Sequence, residues 1–227
     1  MKNSSLYASP VIVALDVASR AKAMDLVSRL RGLAGMFKVG NELFVAEGPD
    51  VVRAIVDGGE RVFLDLKFHD IPNTVSRAAV EAGNLGVSML TVHASGGAAM
   101  IQAARRALED RFGEDRPTVV AVTVLTSIDE ETLLQTGVSE TPDAQVLRLA
   151  RMAGEAGADG FVCSSREISL LRENLDLAFK IVTPGVRMPT QAVDDQKRVA
   201  TPRDALAAGA DWLVIGRYVN GASEPEA

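Results

Sequence analysis

Short, continuously apolar runs rich in Val, Ile and Phe alternate along the chain with longer stretches of mixed polarity. Eight runs read as strands: Val11–Val17, Met36–Gly40, Val62–Phe68, Ser88–Ala94, Thr118–Thr126, Gly160–Ser165, Phe179–Val186 and Trp212–Arg217. They recur at roughly the 30-residue length of one βα unit. Their apolar positions are consecutive rather than alternating, as parallel strands covered by helices require. The stretches between them carry helical periodicity. After Pro142, for example, Val146, Leu149, Ala150 and Ala153 fall at i, i+3, i+4 and i+7, on one helix face. Gly58-Gly59, Gly83, Gly157 and Gly209 stand at predicted helix ends, where a left-handed cap is wanted. Ala156-Gly157-Ala158-Asp159 and Ala208-Gly209-Ala210-Asp211 each separate a helix from a strand, a weak echo of one repeated unit.

Eight β/α repeats with no linker predict an α/β chain folded as a single (β/α)8 TIM barrel over residues 1–227. An open doubly wound sheet is the structural alternative. It is disfavoured because Leu15-Asp16-Val17-Ala18-Ser19, after the first strand, lacks the glycines of a dinucleotide fingerprint. The polar, aperiodic segment Arg187–Ala200 reads as a mobile functional loop.

Composition narrows the class. The 227 residues are 47% hydrophobic, which excludes a disordered chain. With 24 Lys+Arg against 30 Asp+Glu the net charge is −6, which gives no support for a nucleic-acid or anionic-membrane partner. A lone cysteine, Cys163, excludes an intramolecular disulfide framework and a Cys-rich zinc site, and fits a reducing compartment. Two histidines, His69 and His93, leave few ligands for a His-based metal site. Met1–Pro10 has no apolar signal region, and no apolar run is long enough to span a bilayer. A soluble, cytoplasmic protein is expected.

A barrel builds its site at the C-terminal ends of its strands. There the sequence places Asp16, Lys38, Asp65, Lys67, His93, Thr126-Ser127, Pro184 to Arg187 and Gly216-Arg217, with Asp70 just beyond the third strand. Charges within apolar strands cost several kcal/mol, by order of magnitude, unless paired. Asp65 and Lys67 are two apart on a strand and point the same way. Asp70 can turn back toward them or reach into a partner subunit. Flanking carboxylates favour the cationic form of an amine, which suits a proton donor to carbon and disfavours Schiff-base chemistry. Asp-x-Lys-x-x-Asp fits a structural salt-bridge network equally well. Gly216-Arg217 offers close backbone approach and a planar fork for phosphate, with Arg187 and Gln196 as further donors. An isolated Gly-Arg would be a surface turn; its position after the eighth strand favours phosphate. Lys38 and Asp16 could hold sugar hydroxyls or simply pair. Thr126 and Ser127 could meet a ligand or cap the next helix, with Glu130 completing a capping box. His69 and His93 read as hydrogen-bonded structural residues, Cys163 as a buried small hydrophobe, and Met36, Met89 and Met152 as core filler.

Together these residues resemble the orotidine 5′-phosphate decarboxylase family, in its bacterial branch. The resemblance rests on Val13-Ala14-Leu15-Asp16, Phe37-Lys38-Val39-Gly40, the run from Phe63 through Asp65, Lys67, His69, Asp70, Ile71 and Pro72 to Thr74, Thr183-Pro184-Gly185-Val186-Arg187, Asp195-Gln196 and Val214-Ile215-Gly216-Arg217. It implies a homodimeric decarboxylase of orotidine 5′-monophosphate that uses no cofactor and no metal and acts in de novo pyrimidine synthesis. Lys67 would protonate C6 of the pyrimidine as carbon dioxide leaves. Asp65 would face the substrate carboxylate and position Lys67. Asp70 and Thr74 would enter the partner's site, beside Ile71, with Thr74 touching the ribose. Asp16 and Lys38 would bind ribose hydroxyls, and Thr126 and Ser127 the pyrimidine edge. Pro184 would line the site, and Arg187, Gln196, Gly216 and Arg217 would hold the phosphate. Two features depart from the family pattern. Only ten residues follow Arg217, so a short or missing last helix is expected, and Tyr218 stands where proline is usual.

Two rivals remain at the level of sequence. Sugar-phosphate barrels that stabilise an enediolate with magnesium share Asp-x-Lys-x-x-Asp, but the continuation His69-Asp70-Ile71-Pro72-Asn73-Thr74 favours the pyrimidine enzyme. A catalytically silent binding barrel is disfavoured by the presence of Asp65, Lys67 and Asp70 together.

Overall fold

The computed structural model describes residues 9–186, 201–222 and 224–225. Its eight parallel strands are β1 (Val11–Ala14), β2 (Met36–Gly40), β3 (Val62–Phe68), β4 (Met89–His93), β5 (Thr118–Val122), β6 (Gly160–Val162), β7 (Lys180–Pro184) and β8 (Trp212–Ile215). They pair in sequence order, and β8 closes on β1 through Val11↔Leu213, Ile12↔Val214 and Val13↔Ile215. The helices are α1 (Arg20–Leu30), α2 (Asn41–Glu47), α3 (Pro49–Asp57), α4 (Pro72–Asn84), α5 (Ala98–Phe112), α6 (Glu130–Gln135), α7 (Pro142–Glu155), α8 (Ile168–Asn174), α9 (Pro202–Ala208) and α10 (Arg217–Asn220). The fold is the (β/α)8 barrel.

The core has two parts. Between strands and helices lies a large shell, to which α7 contributes Val146, Leu149, Ala150 and Ala153, the face that the periodicity predicts. Inside the barrel lies a separate cluster: Ile12, Ala14, Met36, Phe63, Met89, Val120, Val182 and Val214, with Val162 and Trp212 packed on it. Side chains alternate across a strand. The residues two positions beyond Met36, Phe63 and Met89 are Lys38, Asp65 and Thr91, so one layer up the barrel interior turns from apolar to polar. Met36 and Met89 are core filler, as expected.

The predicted strands start close to the observed ones, but several end too late. β1 stops at Ala14 rather than Val17, β5 at Val122 rather than Thr126, and β6 at Val162 rather than Ser165. The apolar pattern runs on because Leu15, Val124 and Cys163 remain buried after the ladder ends. Of the expected glycine caps, Gly59, Gly157 and Gly209 have positive φ, whereas Gly83 lies inside α4. Gly83 serves packing instead: a Cβ there would collide with the ring of Phe112 on α5. Neither Thr126 nor Ser127 caps α6; Asp129 does, accepting from the Thr132 N–H at 2.9 Å.

The repeated Ala-Gly-Ala-Asp has a structural purpose. Asp159 accepts two hydrogen bonds from Arg116, at 2.6 and 2.7 Å, and one from the Val119 N–H at 2.7 Å. Asp211 accepts from Arg172 at 2.6 Å and from the Ile181 N–H at 2.7 Å. Each carboxylate pins the start of a neighbouring strand and neutralises an arginine at the N-terminal end of the barrel. The segment Arg187–Ala200, which holds the expected phosphate donors Arg187 and Gln196, lies outside the described residues.

Candidate active site

A cavity of about 600 Å³ opens at the C-terminal ends of the strands. Asp16, Lys38, Asp65 and Lys67 line one side of it. Thr126, Pro184, Gly216 and Arg217 line it from β5, β7 and β8, and Lys67 and Arg217 therefore share one space. The apolar wall comes from Val122, Val124, Val162, Cys163 and Val186.

The charged side alternates in sign. Lys38 donates to Asp16 Oδ1 at 3.0 Å and lies 3.8 Å from Asp65 Oδ2. Lys67 Nζ donates to Asp65 Oδ1 at 2.8 Å. Lys38 and Asp65 are largely buried, with side-chain exposures of 11% and 14%, while Lys67 keeps 31% and reaches into the opening. Two glycines make room for this row. A Cβ at Gly40 would stand 2.8 Å from Lys38 Nζ, and one at Gly216 would stand 3.0 Å from Asp16 Oδ2.

Asp65 and Lys67 meet for a reason that spacing alone does not supply. Leu64 pairs with Leu90 and Phe68 with Val92, so four steps along β3 match two along β4, and the intervening residues bulge. Within the bulge Lys67 has φ +52°, the sole positive φ of a non-glycine among the described residues. A left-handed residue with a Cβ costs roughly 1–2 kcal/mol. The Lys67 N–H leaves the ladder and donates to Thr91 Oγ1 at 2.8 Å. Such outliers persist where the surroundings over-determine them, commonly at functional sites.

The remaining candidates lie elsewhere. Asp70, Ile71 and Thr74 are exposed and do not line the cavity of the single chain. Asp70 Oδ1 accepts from the Ile71 N–H at 2.6 Å, Ile71 is 66% exposed, and Thr74 sits in the first turn of α4. Ser127 is exposed and outside the cavity lining. His93, at the end of β4, stacks on His69 at 5.4 Å, and its Nδ1 lies 2.8 Å from Ser95 Oγ. Burial, then the charges of His69 and Lys67, hold His93 below the ordinary histidine range and favour its neutral form. Burial likewise raises the Cys163 thiol, keeping it protonated. Two residues at or beneath the cavity have no site role in the sequence reading. Tyr218 lines the opening beside Arg217. Thr91 is fully buried next to Asp65, a placement set by the register of β4 and unmarked in the sequence. Among the described residues no group of three or more His, Cys, Asp or Glu could hold a metal ion. None of their helices is long and apolar enough to cross a membrane.

A family model described as orotidine 5′-phosphate decarboxylase / HUMPS family matches residues 9–227. The chain belongs to this family. It is 52% identical over 218 residues to the orotidine 5′-phosphate decarboxylase of Syntrophotalea carbinolica, covering 95% of this chain and 89% of that one. It is 48% identical over 217 residues to the enzyme of the same name from Pseudoalteromonas translucida, covering 96% and 92%. The crystal structure of the Lactobacillus acidophilus orotidine 5′-phosphate decarboxylase superposes with a TM-score of 0.85 at 40% identity, over 96% of this chain and 94% of that one.

Proposed function

We propose that the chain decarboxylates orotidine 5′-monophosphate to uridine 5′-monophosphate and carbon dioxide, without metal or cofactor, with Lys67 as the proton donor. The observation that carries this reading is the alternating row Asp16–Lys38–Asp65–Lys67 along a cavity that also holds Arg217. When the C6–carboxylate bond breaks, its electron pair stays on C6 as a vinyl-type carbanion. No adjacent carbonyl or imine can take up that charge, so stabilisation must be electrostatic and set before reaction. The Lys67 ammonium supplies the counter-charge and then transfers a proton to C6, and the neutral amine regains a proton from solvent.

Asp65 holds the ammonium at 2.8 Å and faces the substrate carboxylate. Lys38 and Asp16 meet the ribose hydroxyls, Thr126 the pyrimidine edge, with Pro184 beside it, and Gly216 and Arg217 the phosphate; Ser127, exposed and outside the cavity lining, takes no part in this arrangement. Arg187 and Gln196 are assigned to the phosphate by the resemblance. Contacts far from C6 contribute to rate when they close the site over the ligand. The exposed Asp70, Ile71 and Thr74, with an apolar side chain among them, support a homodimer in which Asp70 and Thr74 complete the partner's site. A cytoplasmic location fits a biosynthetic enzyme of this class.

The test is incubation with orotidine 5′-monophosphate in chelator-treated buffer, following loss of the orotate absorbance. Turnover unaffected by chelator is expected. No turnover, or turnover abolished by chelator and restored by magnesium, would contradict the proposal.

A further inference from the structure

Thr91 lies on β4 with no exposed surface, beneath the charged row rather than in the cavity lining. Its hydroxyl makes two hydrogen bonds of opposite sense. It accepts from the Lys67 N–H at 2.8 Å and donates to Asp65 Oδ1 at 3.1 Å. The same Oδ1 accepts from Lys67 Nζ at 2.8 Å, while Asp65 Oδ2 faces Lys38. One hydroxyl thus ties together the backbone of the left-handed residue in the bulge and the carboxylate that holds that residue's ammonium.

We propose that Thr91 is a positioning residue, fixing the bulged backbone of Lys67 and the rotation of the Asp65 carboxylate so that the ammonium is aimed into the cavity. This rests on the reading of Lys67 as proton donor. Without the hydroxyl, the Lys67 N–H loses its acceptor at a place where β4 offers no ladder partner in register. Asp65 Oδ1 is then held only by the flexible lysine, and the carboxylate can turn toward Lys38. The ammonium remains in the cavity but no longer at one place, and misplacement of a reacting group by about 1 Å can cost on the order of 100-fold in rate. Phosphate and ribose contacts are made by other residues, so ligand binding should survive.

Thr91→Val, Thr91→Ala and Thr91→Ser separate hydroxyl from methyl. Val keeps the shape and loses the hydroxyl, Ala loses both, and Ser keeps the hydroxyl. Each is compared with the unmodified chain in kcat, KM, affinity for uridine 5′-monophosphate and thermal unfolding. The expected pattern is a kcat lowered about 10- to 100-fold in Val and Ala, product affinity within about twofold of the parent in both, and kcat largely recovered in Ser. A kcat near the parent value in Val or Ala overturns the proposal. So does a Ser variant as slow as Val, or a loss confined to KM and product affinity. If the unmodified chain fails to turn over orotidine 5′-monophosphate, the underlying reading fails; an active parent with unaffected variants sinks the Thr91 assignment alone.

Discussion

Arg217 stands two residues past β8, exposed at the rim, with Asn220 of the same short helix donating to the Ala14 carbonyl at 3.0 Å. That tether fixes the guanidinium's turn to the start of the barrel, close to Asp16. Arg217→Ala is therefore expected to weaken binding of uridine 5′-monophosphate by about 1.5–3 kcal/mol, the scale of a hydrogen bond to a charged group, and to leave the affinity for unphosphorylated uridine unchanged. Calorimetry with both ligands would measure this, and equal affinity for the nucleotide before and after substitution would remove Arg217 from the phosphate site. At this scale the sequence was most legible where a residue was out of place. Asp65, Lys67 and Lys38 stand out because charge in an apolar strand demands a partner. Thr91 does not, because a β-branched hydroxyl is at home in a strand and its burial beside Asp65 depends on a register visible only in three dimensions. Asp70 and Thr74 are exposed and do not line the single chain's cavity, so their part is read only from the resemblance.

Among elements, the starts of strands were legible and their ends were not. A strand begins where the chain turns apolar, but buried wall residues such as Val124 and Cys163 prolong the apolar pattern past the last ladder bond. The β3 bulge left no mark in the sequence, since Val62–Phe68 reads as an ordinary run. The helix-to-strand junctions stand out in the sequence as a repeat, but the work of their carboxylates does not. Asp159 and Asp211 bind a backbone N–H and an arginine each, with side-chain exposures of 25% and 27%. Asp159→Ala leaves Arg116 without its bidentate partner and should lower unfolding stability by about 2–3 kcal/mol, the scale of stranding a partly buried charged donor. Urea unfolding would show this as a lower midpoint, with turnover per folded molecule unchanged because the site lies at the opposite end of the barrel. A midpoint within error of the parent would contradict the clamp.

For the whole molecule, closing the sheet in sequence order gathers residues from Asp16 to Arg217 around one cavity. The proposed dimer adds what a single barrel does not hold. Mixing a Lys67→Ala subunit with an Asp70→Ala subunit, unfolding and refolding them together, should regenerate activity at about a quarter of the sites, since random pairing makes half the dimers mixed and each mixed dimer has one complete site. No recovery would mean that Asp70 serves its own chain. The most direct measurement concerns the ammonium itself: kcat of Lys67→Ala at saturating orotidine 5′-monophosphate, with folding checked by circular dichroism. The charge row and the proton-donor role predict a folded protein whose turnover falls by far more than the ~10²–10³ typical of losing one stabilising donor. A folded variant turning over at near the parent rate would contradict the account.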